Sequence, residues 1–216
     1  MGVVIAASIL SADASNLAFD MKKAVAAGSD WIHFDVMDGH FANNLTYGIP
    51  VLSSCKKALP DAFFDVHLMV DKPQNFIKHF ADAGADMITI HYESMTDAAK
   101  TISHIKAMGK KAGISIKPDT PVSVLYPFFD TADMFLIMTV EPGFGGQEFD
   151  GRSPGKIKTL SNKLQERGSK ALIEVDGGIN ADTAKVVRDA GADVLVSGSF
   201  LFGADDIKAA VATLKH

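Results

Sequence analysis

Apolar residues along this chain follow two alternating rhythms. Short runs such as Trp31-Ile32-His33-Phe34, Met87-Ile88-Thr89-Ile90, Met134-Phe135-Leu136-Ile137 and Val194-Leu195-Val196 read as strands. Between such runs the apolar residues recur every three or four positions. Leu17, Met21, Ala24 and Val25 do so between Asn16 and Ala27, with Ser15 placed as an N-cap. Similar helical patterns occupy 73–83, 96–108, 153–167, 181–190 and 205–215, and further strands are expected at 3–9, 62–68, 111–116 and 171–175. One phrase marks the joints. Ala27-Gly28-Ser29-Asp30, Ala83-Gly84-Ala85-Asp86 and Ala190-Gly191-Ala192-Asp193 each stand just before a strand, and Thr131-Ala132-Asp133 is a weaker copy. Each reads as a helix end, a glycine able to take the left-handed cap conformation, then a strand.

Counting gives eight strands, each followed by a helix or helical turn, at about 27 residues per unit. Apolar strands alternating with helices imply a parallel sheet. Eight such units predict an α/β fold of one kind, a single (β/α)8 TIM barrel spanning 1–216 as one domain. An open doubly wound sheet would carry a Gly-x-Gly-x-x-Gly loop after its first strand. Here that position holds Ser8-Ile9-Leu10-Ser11-Ala12-Asp13, without glycine.

In such a barrel strand residues alternate between helix-facing and interior sides, and chemistry sits at the carboxyl ends. His33, Asp35 and Met37 share one face of the second strand; Asp65, His67 and Met69 share one face of the third; Asp176 ends the seventh. A buried carboxylate needs a partner or a metal. Two imidazoles and two carboxylates converging on one point suit one divalent ion such as Zn²⁺, Fe²⁺, Co²⁺ or Mn²⁺, although a histidine in an apolar strand is equally readable as a hydrogen-bonded core residue. The other histidines, His40, His79, His91, His104 and His216, are expected to be structural or solvated, and Met37, Met69 and Met138 to fill core.

Composition narrows the partners. The 216 residues carry 21 Lys+Arg against 26 Asp+Glu, a net charge of -5, with no basic stretch for a nucleic-acid backbone. The lone Cys55 excludes an internal disulfide and any multi-thiolate metal site. No signal peptide or membrane-length apolar run is present, so a cytoplasmic protein with no membrane partner is expected. An acidic chain can still hold an anion through backbone dipoles. Asp176-Gly177-Gly178-Ile179-Asn180 and Ser197-Gly198-Ser199 close the last two strands just before helices, where many barrels bind phosphate. Glu141-Pro142-Gly143-Phe144-Gly145-Gly146-Gln147, after strand six, reads as a glycine-rich lid able to close over substrate.

Taken together, Ser8 to Asp13, His33-Phe34-Asp35-Val36-Met37-Asp38-Gly39-His40-Phe41, Asp65-Val66-His67-Leu68-Met69, Pro142 to Gln147, Glu174 to Asn180 and Gly198-Ser199 resemble the ribulose-phosphate 3-epimerase family, essentially over the whole chain. The resemblance implies a metal-dependent barrel that interconverts D-ribulose 5-phosphate and D-xylulose 5-phosphate through an enediolate. It implies His33, Asp35, His67 and Asp176 as metal ligands, with Asp35 and Asp176 as the acid/base pair. Ser8 and His67 would contact the sugar, and Gly143, Phe144, Gly145, Gly146, Gly177, Gly178, Gly198 and Ser199 would surround the phosphate end. It also implies a homo-oligomer, a dimer or hexamer. The chain departs from the family pattern at Ala7, Ala42-Asn43, Lys117 and Glu141. An acidic residue at 141 also resembles the epimerases of hexulose 6-phosphates such as D-allulose 6-phosphate. A phosphosugar aldolase or decarboxylase on the same barrel would need a lysine at a strand end, and Lys117 is the candidate.

Overall fold

The computed structural model describes residues 2–216. Eight parallel strands close on themselves in sequence order: β1 (Val4–Ser8), β2 (Trp31–Met37), β3 (Phe63–Met69), β4 (Met87–His91), β5 (Lys111–Ile116), β6 (Met134–Met138), β7 (Leu172–Asp176) and β8 (Val194–Ser197). The outer ring holds α1 (Leu17–Ala26), α2 (Ile49–Ala58), α3 (Ile77–Ala83), α4 (Ala98–Ala107), α5 (Ser153–Arg167), α6 (Ala181–Ala190), α7 (Ser199–Phe202) and α8 (Ile207–Lys215). The expected (β/α)8 barrel is therefore present. No helix among the described residues is long and apolar enough to cross a membrane.

One local expectation changes and two connections left unassigned are filled. The pattern over 73–83 is broken into a 3-10 turn at Pro73–Asn75 and then α3, because the chain enters through Lys72 in the left-handed region and Pro73 starts a new turn. Only a 3-10 turn, Val122–Phe128, follows β5, since Pro127 lies inside it and denies an α-helix its hydrogen bond. Helix α2 carries only Leu52 and Cys55 as buried residues, a signal too sparse to read as a helical rhythm.

Alternation along each strand builds two cores. Ile32, Phe34, Phe64, Val66, Ile88, Ile90, Phe135 and Ile137 face outward and pack under the helices in one continuous cluster. Each such side chain contributes on the order of 1.5–3 kcal/mol by leaving water. Inside the barrel, at its amino-terminal end, Ala6, Met87, Met134, Val194 and Val196 form a separate apolar plug, flanked by Trp31, Phe63 and Leu172. Trp31 and Phe63 stack with centroids 4.6 Å apart.

The recurring Asp of the sequence has a structural task. Asp30, Asp86, Asp133 and Asp193 precede β2, β4, β6 and β8, and each carboxylate accepts from the first residues of the strand before: from Ile5 N at 2.9 Å, Phe64 N at 2.8 Å, Ala112 N at 2.9 Å and Ile173 N at 2.8 Å. Each Asp backbone N–H returns a bond to the carbonyl of that same residue. The four copies clamp alternate strands to the barrel floor, and the copy at Asp133 is as complete as the rest. Where the phrase carries glycine, at Gly28, Gly84 and Gly191, φ is positive as expected; at Gly191, φ 111°, it caps α6.

Candidate metal centre and active site

Strand register brings the candidate ligands together. Asp35 pairs with His67 and His33 with Asp65 across β2 and β3, while Asp176 comes from β7 on the far side. One oxygen of Asp35 lies 3.2 Å from both His33 Nε2 and His67 Nδ1. One oxygen of Asp176 lies 3.9 Å from His33 Nε2 and 3.8 Å from His67 Nδ1. A tetrahedral site with bonds of about 2.0–2.2 Å has edges of about 3.4 Å, so these four atoms fit one small divalent ion. His33 Nε2 is buried without a hydrogen-bond partner, as a ligand atom is before its ion arrives.

The two carboxylates differ in environment. Burial would raise Asp35, but the neighbouring imidazoles, the charge of His33 first, outweigh it and hold Asp35 far below the usual carboxylate range. The Ser8 hydroxyl also donates to its second oxygen at 2.7 Å. Asp176 is raised to about 6, first by burial and then by the negative charge of Asp35. One member of the pair is thus kept ionised and the other readily protonated.

A second layer lies beneath. His33 Nδ1 is 2.6 Å from Asp65 Oδ2, and Thr89 Oγ1 donates to the other Asp65 oxygen at 3.4 Å. Burial lowers the His33 imidazole, yet Asp35 and Asp65 together push it well above its usual value. Glu174 is fully buried with neither oxygen hydrogen-bonded, and burial with the charge of Asp65 pushes it well above the carboxylate range. His33, Asp65 and Glu174 are also close enough to hold a cation. The short Asp65 contact already occupies His33 Nδ1, so this group reads as outer support. Next to His67 stands His91, which burial lowers to about 4. Sequence reading gave none of Asp65, Glu174, His91 or Glu93 a role. The available signal was period two: Asp65 precedes His67, Glu174 precedes Asp176, and His91 follows Thr89, each by two residues.

Above the four ligands opens a cavity of about 590 Å³, counted to its mouth. Ser8, Asp35, Gly143, Phe144, Gly145, Gly146, Asp176, Gly177, Gly178, Gly198 and Ser199 all line it, whereas His33 and His67 are fully buried and do not. Met37, Met69 and Met138, expected to fill core, are buried in small apolar clusters and also border it. No Lys or Arg lines it among the described residues. Lys117 instead rests its ammonium 4.3 Å from the Phe41 ring centroid. A side chain at Gly178, φ 64°, would meet the Phe149 backbone nitrogen at 2.9 Å, so this floor requires glycine. The start of α6 is closed by its own cap: Asn180 accepts from Asp182 N and Thr183 N at 2.9 and 3.1 Å. The glycine-rich loop is also held: Gln147 Nε2 donates to the carbonyls of Glu141 and Phe144 at 2.8 Å each, and Asn44 Nδ2 to that of Gly143 at 2.8 Å. Phe144 at its tip is 59% exposed.

Fold and site together define a (β/α)8 barrel with a buried two-histidine, two-aspartate cage under a cavity built of glycine backbone. The ribulose-phosphate 3 epimerase family model matches residues 4–202, and the chain belongs to that family. It is 44% identical over 214 residues to the ribulose-phosphate 3-epimerase of Bacillus subtilis, covering 99% of this chain and 98% of that one. It is 46% identical over 198 residues to that of Treponema pallidum, covering 92% and 90%. Among solved structures, 3-keto-L-gulonate-6-phosphate decarboxylase from Vibrio cholerae shares the fold at TM-score 0.75 and 13% identity, covering 99% of this chain and 96% of that one.

Proposed function

We propose that this chain inverts carbon 3 of a ketose phosphate, interconverting D-ribulose 5-phosphate and D-xylulose 5-phosphate. The observation that carries this reading, beside family membership, is the pair Asp35 and Asp176. They come from β2 and β7, line one cavity, and favour opposite protonation states. Ionised Asp35 accepts the proton from carbon 3 on one face and protonated Asp176 supplies one to the other; the reverse reaction exchanges the roles. Ser8 positions Asp35 through the 2.7 Å hydrogen bond. His33, Asp35, His67 and Asp176 would hold a divalent ion, which would supply Lewis-acid stabilisation of negative charge developing on the sugar. Zn²⁺, Fe²⁺, Co²⁺ and Mn²⁺ all suit the nitrogen and oxygen donors. The phosphate is received by backbone at Gly177-Gly178 and Gly198-Ser199, with Gly145 and Gly146 above and Phe144 excluding water. No lysine or arginine lines the cavity among the described residues, which supports backbone recognition of the anion.

The test is turnover of D-ribulose 5-phosphate in solvent D₂O, with deuterium entering carbon 3. Wild-type protein without incorporation would overturn the proton-transfer reading. The hexulose-phosphate alternative rests on Glu141, which lines the cavity at its solvent-exposed mouth. A higher kcat/KM on D-allulose 6-phosphate than on D-ribulose 5-phosphate would favour it. The aldolase or decarboxylase alternative loses support from Lys117, whose side chain lies outside the cavity lining. A homo-oligomer is what the family resemblance implies, and sedimentation would count the copies. The one thiol, buried Cys55, supports a reducing, cytoplasmic setting.

A further inference from the structure

One chain of groups behind the ligands is used neither by the proton transfer nor by the phosphate. His67 Nε2 lies 2.9 Å from His91 Nε2, the two rings meeting edge to edge with centroids 5.0 Å apart and planes inclined by 25°. His91 Nδ1 lies 3.2 Å from Glu93 Oε2. Glu93 is fixed from the far side: its Oε1 accepts from Lys117 N at 2.8 Å and from the Thr120 hydroxyl.

Donor and acceptor accounting gives this chain a direction. A backbone N–H can only donate, and Glu93 takes it as a carboxylate, so Glu93 also faces His91 as an acceptor and His91 Nδ1 donates. The fully buried His91 ring then offers a lone pair at Nε2, which requires the proton of that contact to sit on His67 Nε2. His67 is left with its Nδ1 lone pair turned toward Asp35 Oδ1 at 3.2 Å and Asp176 Oδ2 at 3.8 Å. The other histidine ligand is set by a shorter route, Asp65 directly on His33 Nδ1 at 2.6 Å. We propose that Glu93, acting through His91, fixes the tautomer of His67 that presents Nδ1 to the cation site. Both are positioning residues, and the assignment rests on the metal-ligand reading of His67.

Glu93→Gln reverses the chain without changing its shape. Lys117 N still needs an acceptor, so the amide oxygen of the new side chain stays there and its NH₂ faces His91. His91 then keeps its proton on Nε2 and forces the His67 proton to Nδ1, where it blocks the ion. With Co²⁺ as the probe, chelator competition should give a dissociation constant about 10- to 100-fold weaker than wild type. Nitrogen-15 imidazole spectra of the metal-free protein should show the His67 proton on Nε2 in wild type and on Nδ1 in the variant. His91→Phe, which removes the link while keeping a ring, should weaken Co²⁺ as well. Unchanged Co²⁺ affinity in Glu93→Gln with His67 still protonated at Nε2 would overturn the relay while leaving the metal centre standing. Wild-type protein that binds no Co²⁺, or binds it equally after His67→Ala, would overturn the metal centre and the relay with it.

Discussion

The two ends of the barrel interior are built from the same eight strands and differ in almost everything else. At the amino end Trp31, Phe63 and Leu172 flank a dry plug of Ala6, Met87, Met134 and Val194. Two or four residues further along the same strands, the interior holds His33, Asp35, Asp65, His67, His91, Glu174 and Asp176, nearly all inaccessible to solvent. Burying so many ionisable groups costs free energy that only mutual pairing or a cation offsets. The plug supplies stability and asks for nothing; the upper layer draws on that stability to keep an acid and a base side by side in opposite states. Scaffold and chemistry are thus separated by about two residues of strand, roughly 7 Å.

That division can be broken from either end. The largest effect is expected from the upper layer: Asp35→Asn or Asp176→Asn should lower kcat by about 10²- to 10⁴-fold. Isotope exchange at carbon 3 should fall with it, while the melting temperature of the metal-free protein stays level or rises. In the plug the effects exchange places. Met134→Ala should cost about 2–5 kcal/mol of stability by denaturant titration, with kcat at saturating metal close to wild type. Acidity offers a finer probe. Asp176 titrates at about 6 without metal, so below that pH an incoming ion must displace its proton. Metal affinity should therefore fall as pH drops throughout this range, because the raised His33 must also give up its proton, and fall more steeply below about 6; calorimetry from pH 5 to 7.5 would show the steepening. The smallest effects belong outside both regions. Lys117→Ala should leave turnover within a few-fold, complete loss instead favouring a lysine-based mechanism. Cys55→Ser should change kcat hardly at all.

Much of the upper layer was legible because period two is a property of any strand. His33 with Asp35, and Asp65 with His67, could be placed on one face from spacing alone, and the glycines of 177–178 and 198 announced a floor needing backbone. The supporting layer was not legible, since its contacts depend on register and closure. Asp65 reaches His33 only because β2 and β3 pair at those residues, and Glu174 joins them from across the barrel. His91 looked like a stray core histidine until β4 set it against His67. Glu93 lies in the turn after β4 and meets His91 only because the β5 loop fixes its other oxygen. The Asn44 bond to Gly143 joins loops 99 residues apart, which no local pattern records.

The four aspartate clamps imply something further about this barrel: it has a hidden fourfold symmetry, and its chemistry consists in breaking it. Counting three and five residues on from Asp30, Asp86, Asp133 and Asp193 gives His33 and Asp35, Thr89 and His91, Leu136 and Met138, then Val196 and Gly198. Counting three on from the clamped Ile5, Phe64, Ala112 and Ile173 gives Ser8, His67, Ser115 and Asp176. Equivalent places on one repeated frame thus hold a ligand, an outer support, an apolar wall and a phosphate floor. The quarter-turns are alike where the chain must close and unlike where it must act.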